Sequence, residues 1–267
     1  MLRTLKIEWM KVKNYRTFWI LLGITTVSIP AFNYSFYDLT DNSFPKIKGQ
    51  SIFGTPFSFP DVWQTVSFNS SLLLFIPAIL IITLTCNEFT YRTHRQNIID
   101  GWSRHQFINI KLLEVLLFSI FVTGIVFITA LLFGHYVKQP NATVPVFQDV
   151  RFIAFFFVEM LSYSLIAFLF SMLIKRAGLS MGIFFIYLII EQFVVALGRN
   201  KFKKDWVDYL PEEVVDMLIP QPYARKLMGQ GKLSAWEHHI PTYLAVGAAY
   251  LLLYILLTSW RFRKTDL

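Results

Sequence analysis

Two acids and three arginines share a single polar stretch of the chain: Glu88, Asp100, Arg92, Arg95 and Arg104, together with Thr93 and Ser103. Side chains of these types hold ion pairs, cap helices or grip a charged partner. Elsewhere the candidates for chemistry thin out. Gly229, Gly231, Lys232 and Ser234 look briefly like a phosphate loop, but Leu233 follows the lysine and the required earlier glycine is missing. His238 and His239 are adjacent, so on a helix they point in different directions and make a poor metal pair. The five histidines form no HExxH arrangement, and the single cysteine, Cys86, excludes an internal disulfide or a cysteine zinc site. Glu212 and Glu213 suggest a membrane protease only if a histidine-bearing span accompanies them, and none does. No catalytic set can be assembled, no metal site is expected, and no cofactor is expected to bind this chain directly.

The elements that must position these residues are long and apolar. The chain has 267 residues, 55% hydrophobic and 16% charged, against about 25% charged in soluble domains. Its mean hydropathy is +0.49. The apolar residues fall in runs of roughly twenty, the length a helix needs to cross a bilayer core. This predicts an all-α integral membrane protein, since helices satisfy their own backbone in lipid. Six spans are expected, near 18–37, 65–86, 107–133, 152–174, 179–197 and 240–260. Lys175, Arg176, Ala177 and Gly178 make the tight turn between the fourth and fifth. The basic N-terminus with the apolar run behind it reads as a retained first span rather than a cleaved leader. The whole of 1–267 is expected to be one transmembrane domain.

Orientation follows from lysine and arginine. With the N-terminus inside, fourteen fall in the inner segments and four (Lys46, Lys48, Lys138 and Arg151) in the two short outer loops. That asymmetry puts both termini in the cytoplasm. The net charge of +8 is then read as anchorage to anionic lipid headgroups rather than as a nucleic-acid surface. Within residues 1–16, Leu2, Leu5, Trp9 and Val12 recur every three or four positions, with Arg3, Lys6, Lys11 and Lys13 largely off the stripe. This predicts a short amphipathic helix on the inner membrane surface. The long outer loop, 198–239, carries Trp206, Tyr209, Val214, Val215, Leu218 and Ile219 between prolines. It is expected to form short helices, one opened by Pro211 and ended by Pro220. Asn141, Ala142 and Thr143 form a glycosylation triplet of a kind common by chance.

Ionisable residues within spans cost the most in hydrocarbon and so carry the most information. Glu191 stands alone in 179–197. It is read either as lining a transport path or gate, or as packing glue satisfied by the following loop. Lys111 and Glu114, near the inner end of the third span, are expected to reach the headgroups. Ser67, Asn69, Ser70 and Ser71 open the second span, and Ser162 and Ser164 interrupt the fourth. Such residues allow close helix packing, and Asn69 is also a candidate for a substrate path.

In the polar stretch, 87–106, Glu88 and Arg92 have the favourable i, i+4 order, which predicts a short helix. Gly101 breaks it, and Ser103 caps the helix that runs into the third span. A short helix between two spans converts a push into a tilt of both.

The stretch resembles the first cytoplasmic loop of type-two ABC transporter permeases, six-span subunits of the exporter class. There an acid precedes a Gly-Thr pair, a hydrophobic pair, a proline, a Ser-Arg and a later lysine. Here the matching residues are Glu88, Thr93, Ile98 and Ile99, Ser103 and Arg104, and Lys111. Arg92 stands in place of the glycine and Gly101 in place of the proline. The likeness extends over the whole chain as architecture: basic amphipathic N-terminus, six spans, a large loop between the last two and a short basic C-terminus. The resemblance implies an efflux permease in the cytoplasmic (inner) membrane, working with a separate cytoplasmic ABC ATPase that supplies ATP and Mg. A second permease subunit, identical or a sister, would complete the path. Glu88, Arg92, Thr93, Arg95, Asp100, Ser103 and Arg104 would be the ATPase-coupling residues, and Glu191 would belong to an outer gate. The alternatives are a membrane-embedded enzyme (a protease or a lipid-modifying protein) and an ion-coupled secondary transporter. The latter would ordinarily place more than one ionisable residue near mid-membrane.

Overall fold

The structure, a computed structural model, describes residues 2–40, 46–47, 50–51, 55–99, 101–137, 145–202, 205–224 and 230–263. Asp100, the Asn141 triplet and the tail from Lys264 onward lie outside the described residues. Apart from a two-residue ladder pairing Lys46–Ile47 with Gln50–Ser51, the described regular structure is helical.

The N-terminal stripe forms α1 (Leu2–Lys13). The chain turns at Asn14 and Tyr15 into α2 (Arg16–Asp38). Trp19 fixes the corner: its indole N–H donates to the Lys13 carbonyl at 2.8 Å, and its ring meets Trp9 edge-on.

The second apolar run is not one straight helix. It divides into α3 (Val62–Ser71) and α4 (Phe75–Thr90), bent by 49°. Pro77 has no N–H for the Leu73 carbonyl, so a regular helix cannot pass through this point without a lost bond. Three tighter bonds carry the chain round instead: Leu73 N to Ser70 O, Leu74 N to Ser71 O and Ile76 N to Leu73 O.

A short α5 (Thr93–Ile99) precedes α6 (Arg104–Tyr136), α7 (Arg151–Ile174) and α8 (Ala177–Leu197). The expected tight turn joins α7 to α8, but Lys175 makes it, with φ 60°; Gly178 already lies in α8. A π turn, Gly198–Phe202, extends α8. Beyond it lie the four-residue α9 (Glu213–Asp216) and α10 (Gln230–Arg263). The last helix therefore begins about ten residues before the predicted span and takes the end of the expected outer loop into itself. Pro211 does precede a short helix, and Pro220 follows it.

Among the described residues, five helices are long and apolar enough to cross a membrane, and the bent α3–α4 pair makes a sixth candidate. Central α7 packs on α3, α4, α6, α8 and α10. It is apolar on all sides because all sides are covered. α8 and α10 instead turn large apolar side chains outward, with Ile189 68% and Leu256 65% exposed. An apolar exterior around a packed interior is compatible with a protein that sits in lipid. The core has two parts. One joins Trp63, Val126, Phe156 and Val215; the other joins Ile82, Phe107, Phe168 and Phe184.

Candidate functional site

The polar stretch forms a compact structure in which charge is sorted by depth. α4 carries Glu88 to its last turn and ends at Thr90. Arg92 then adopts φ 55°, a left-handed conformation costing a side-chain-bearing residue about 1–2 kcal/mol. The Glu88–Arg92 helical pair is therefore not made: the bend separates the two residues, and the short helix starts at Thr93. At its other end Trp102 N donates to the Asn97 carbonyl at 3.0 Å, and Gly101 sits at φ 93°. This is the glycine-dependent helix stop expected there. Ser103 caps α6: its hydroxyl accepts from Gln106 N, while the Gln106 side chain accepts from Ser103 N.

Glu88 is buried and faces inward. Its carboxylate accepts from Lys111 Nζ at 3.0 Å and Lys11 Nζ at 3.4 Å, and from the Thr93 hydroxyl. Lys111 also pairs with Glu8 at 2.6 Å and Glu114 at 3.1 Å, and Lys11 with Glu8 at 2.7 Å. Three carboxylates and two ammoniums thus bolt α1 to the end of α4 and the start of α6. Lys111 is 5% exposed. It does not reach toward the headgroups as expected: three nearby carboxylates offer a closer partner than water does. Glu8, unremarked in the sequence, is 2% exposed and is the residue of α1 that joins both lysines. Its visible signal was an acid within a basic amphipathic segment.

Arg92 and Arg95 are exposed, as are Tyr91 and Ile99, and Arg104 is partly buried at the first position of α6. Glu88 and Thr93 therefore hold this structure together from within, whereas Arg92 and Arg95 are presented outward.

Glu191 lies among the residues that follow it. Its Oε1 accepts from the backbone N–H of Glu212 at 2.7 Å and of Glu213 at 3.1 Å. The loop satisfies one oxygen, and Oε2 has no partner. Glu191 is not alone. Glu159, in the apolar middle of α7, is 2% exposed and also carries an unpartnered Oε2. Sequence reasoning passed over it, although one acid in a 24-residue apolar helix was a visible signal. Glu159 faces Asp216, whose carboxylate also accepts from the Tyr163 hydroxyl at 3.3 Å. Glu212 accepts from the Ser162 and Tyr254 hydroxyls, both at 3.3 Å, and leaves its own Oε2 unpartnered. Burial first, then the charges of Asp216 and Glu191, push the Glu212 carboxyl well above its usual range. Burial and the charge of Glu213 push Asp216 up to about 8.

The neighbouring cation is drawn to the rim. Arg199 pairs with Asp208 at 2.6 Å and Glu213 at 2.7 Å. At Gly198 the loop packs so closely that an added Cβ would collide with Val207.

Asn69 is fully buried in a separate polar node. It donates to Asn33 Oδ1 at 3.2 Å and accepts from the Tyr223 hydroxyl at 3.1 Å, while Asn33 donates to Ser70 Oγ at 3.2 Å. The node joins α2 to α3 beside the bend. An apolar cavity of about 550 Å³ lies beside α1, lined by Leu5, Trp9, Trp19, Leu84, Phe118 and Phe121 among others. Among the described residues no group of three or more His, Cys, Asp or Glu side chains is arranged to hold a metal ion.

These features define a helical protein whose apolar helices are compatible with a multi-pass membrane protein. Residues 31–267 match the family described as "Protein of unknown function (DUF2705)", and the chain belongs to that family. No curated protein matches it.

Proposed function

We propose that this chain is the membrane-spanning subunit of an ATP-driven ABC transporter of the exporter class, with both termini in the cytoplasm. A cytoplasmic ABC ATPase binds the 88–104 stretch and hydrolyses Mg-ATP, and the chain itself catalyses nothing. A second permease subunit, identical or a sister, completes the path across the inner membrane.

The observation that carries this reading is the left-handed backbone of Arg92. At that position the resembled permeases have glycine, the residue that adopts such a conformation without steric cost. The residue differs, but the backbone is the one glycine would give. The inward ion pairs of Glu88 add a mechanical reason: they tie the stretch to α1, α4 and α6 together, so a load on α5 reaches all three. Arg92 and Arg95, with Tyr91 and Ile99, offer an outward face of cations and apolar groups suited to a protein partner.

The test is the double charge reversal Arg92→Glu with Arg95→Glu. Membrane insertion should be normal, while association with the ATPase or transport-coupled hydrolysis is lost. Unchanged complex formation and transport by the variant would sink the assignment. A gradient-driven carrier is the second reading, favoured by Glu159 joining Glu191 in the bundle. Transport that persists without ATP would select it.

A further inference from the structure

Outside the 88–104 stretch a second group of acids is buried: Glu159, Glu191 and Glu212. Glu159, Glu191, Glu212 and Asp216 converge on one place between α7, α8, α9 and α10. Three of them carry an oxygen without a hydrogen-bond partner, and all three of those residues are more than nine-tenths buried. Among the described residues, the other groups facing α9 are Tyr163 on α7, Tyr187 on α8, Tyr243, Tyr250 and Tyr254 on α10, Asp208 and Arg199 in the loop, and Glu213 on α9 itself. Arg199 is engaged with Asp208 and Glu213. Buried carboxylates held mainly by hydroxyls and backbone amides are costly as anions, because each lacks the solvation it had in water. A bound proton cures this directly. It removes one charge and turns an orphan acceptor into a donor.

We propose that this acidic nest is a proton-binding site, holding one proton on Glu212 and a second across the Glu159–Asp216 contact while the 211–220 segment lies folded on the bundle. The segment and the protons are thermodynamically linked. When the segment lifts, Glu212 and Asp216 regain water and release protons; when it returns, they bind them again. No bond other than O–H forms or breaks, and the protons exchange with the solvent on the α9 side. In the folded state two amide N–H groups donate to Glu191 Oε1.

The sign of the pH effect follows. These carboxyls hold protons more tightly folded than exposed, so the folded segment is favoured at low pH. It weakens as pH rises from the ordinary carboxylate range to about 8 for Asp216. The inference concerns this chain alone and holds whether ATP or an ion gradient drives the protein.

The experiment uses the full chain in lipid nanodiscs. Hydrogen–deuterium exchange of residues 211–220 is followed against pH and corrected for intrinsic exchange. Infrared difference spectra record the C=O stretch of protonated carboxyls. Protection of the segment should fall by roughly tenfold per pH unit for each proton released. A protonated-carboxyl band should be present at neutral pH and disappear at higher pH. Glu212→Gln and Asp216→Asn should each flatten the exchange profile and remove part of the band. The infrared titration of the unaltered protein stands even if a variant fails to fold. A protein without the band at neutral pH, or with protection independent of pH, overturns the proposal. So do variants that fold and keep the full pH response.

Discussion

The two buried charge clusters of this protein solve the same problem in opposite ways. Around Lys111, three carboxylates meet two ammoniums, and each charge lies within 3.4 Å of an opposite one. Around Asp216, four carboxylates meet hydroxyls and backbone amides, and Arg199 is held at the rim. The first cluster is closed by Coulomb attraction between opposite charges. The second is closed by hydrogen bonds that depend on protonation. The first kind fastens an element in place, whereas the second can release one. α1 and the 88–104 stretch are thus built as a rigid assembly, and the 211–220 segment as a pH-responsive one.

The largest expected effect comes from breaking the first cluster. Lys111→Met leaves Glu8, Glu88 and Glu114 without their shared cation and should cost about 3–5 kcal/mol. Thermal unfolding in detergent measures the loss, and exchange at α1 should rise before the rest of the protein. Adding Glu8→Gln should recover part of the stability; a doubly altered protein no better than Lys111→Met would show that the two residues do not interact.

Glu191→Gln comes next. Its carboxylate receives two amide hydrogen bonds, and bonds to a charged group contribute about 1.5–3 kcal/mol each at most. A loss in that range, with exchange increased at Glu212 and Glu213, is expected. The acid cluster should also make the stability of the whole protein depend on pH. Unfolding stability should decline as pH rises toward about 8, where Asp216 gives up its proton, and Asp216→Asn should reduce that slope.

Helix caps give the smallest effects. Ser103→Ala removes one half of the capping box and should cost about 1 kcal/mol. Arg92→Gly relieves a left-handed side-chain-bearing residue and should leave stability unchanged or raise it by up to about 1 kcal/mol, by the same thermal measurement.

The difference between the clusters was only partly legible in the sequence. Apolar run length placed the helices, because bilayer thickness leaves little choice. Ser103 and Gly101 announced their local roles, since capping depends on neighbours within a turn. The bend between α3 and α4 was written in Ser70, Ser71 and Pro77, but the unbroken hydropathy of the run hid it. The Lys111–Glu8 pair joins residues 103 positions apart. No periodicity within one helix can reveal such a contact. Glu191 was visible as a lone acid only while Glu159, Glu212 and Asp216 were assigned to separate segments. Folding brings the loop back over the bundle, and the lone acid becomes one of four.

The central claim is that the outward face of the 88–104 stretch receives an ATPase. Affinity purification of the full chain from its native membrane tests this most directly. The account predicts that an ABC ATPase co-purifies in fixed ratio, and that Arg92→Glu with Arg95→Glu abolishes this without lowering the amount of chain in the membrane. Purification without any ATPase, or equal recovery from the altered and unaltered chains, would contradict it.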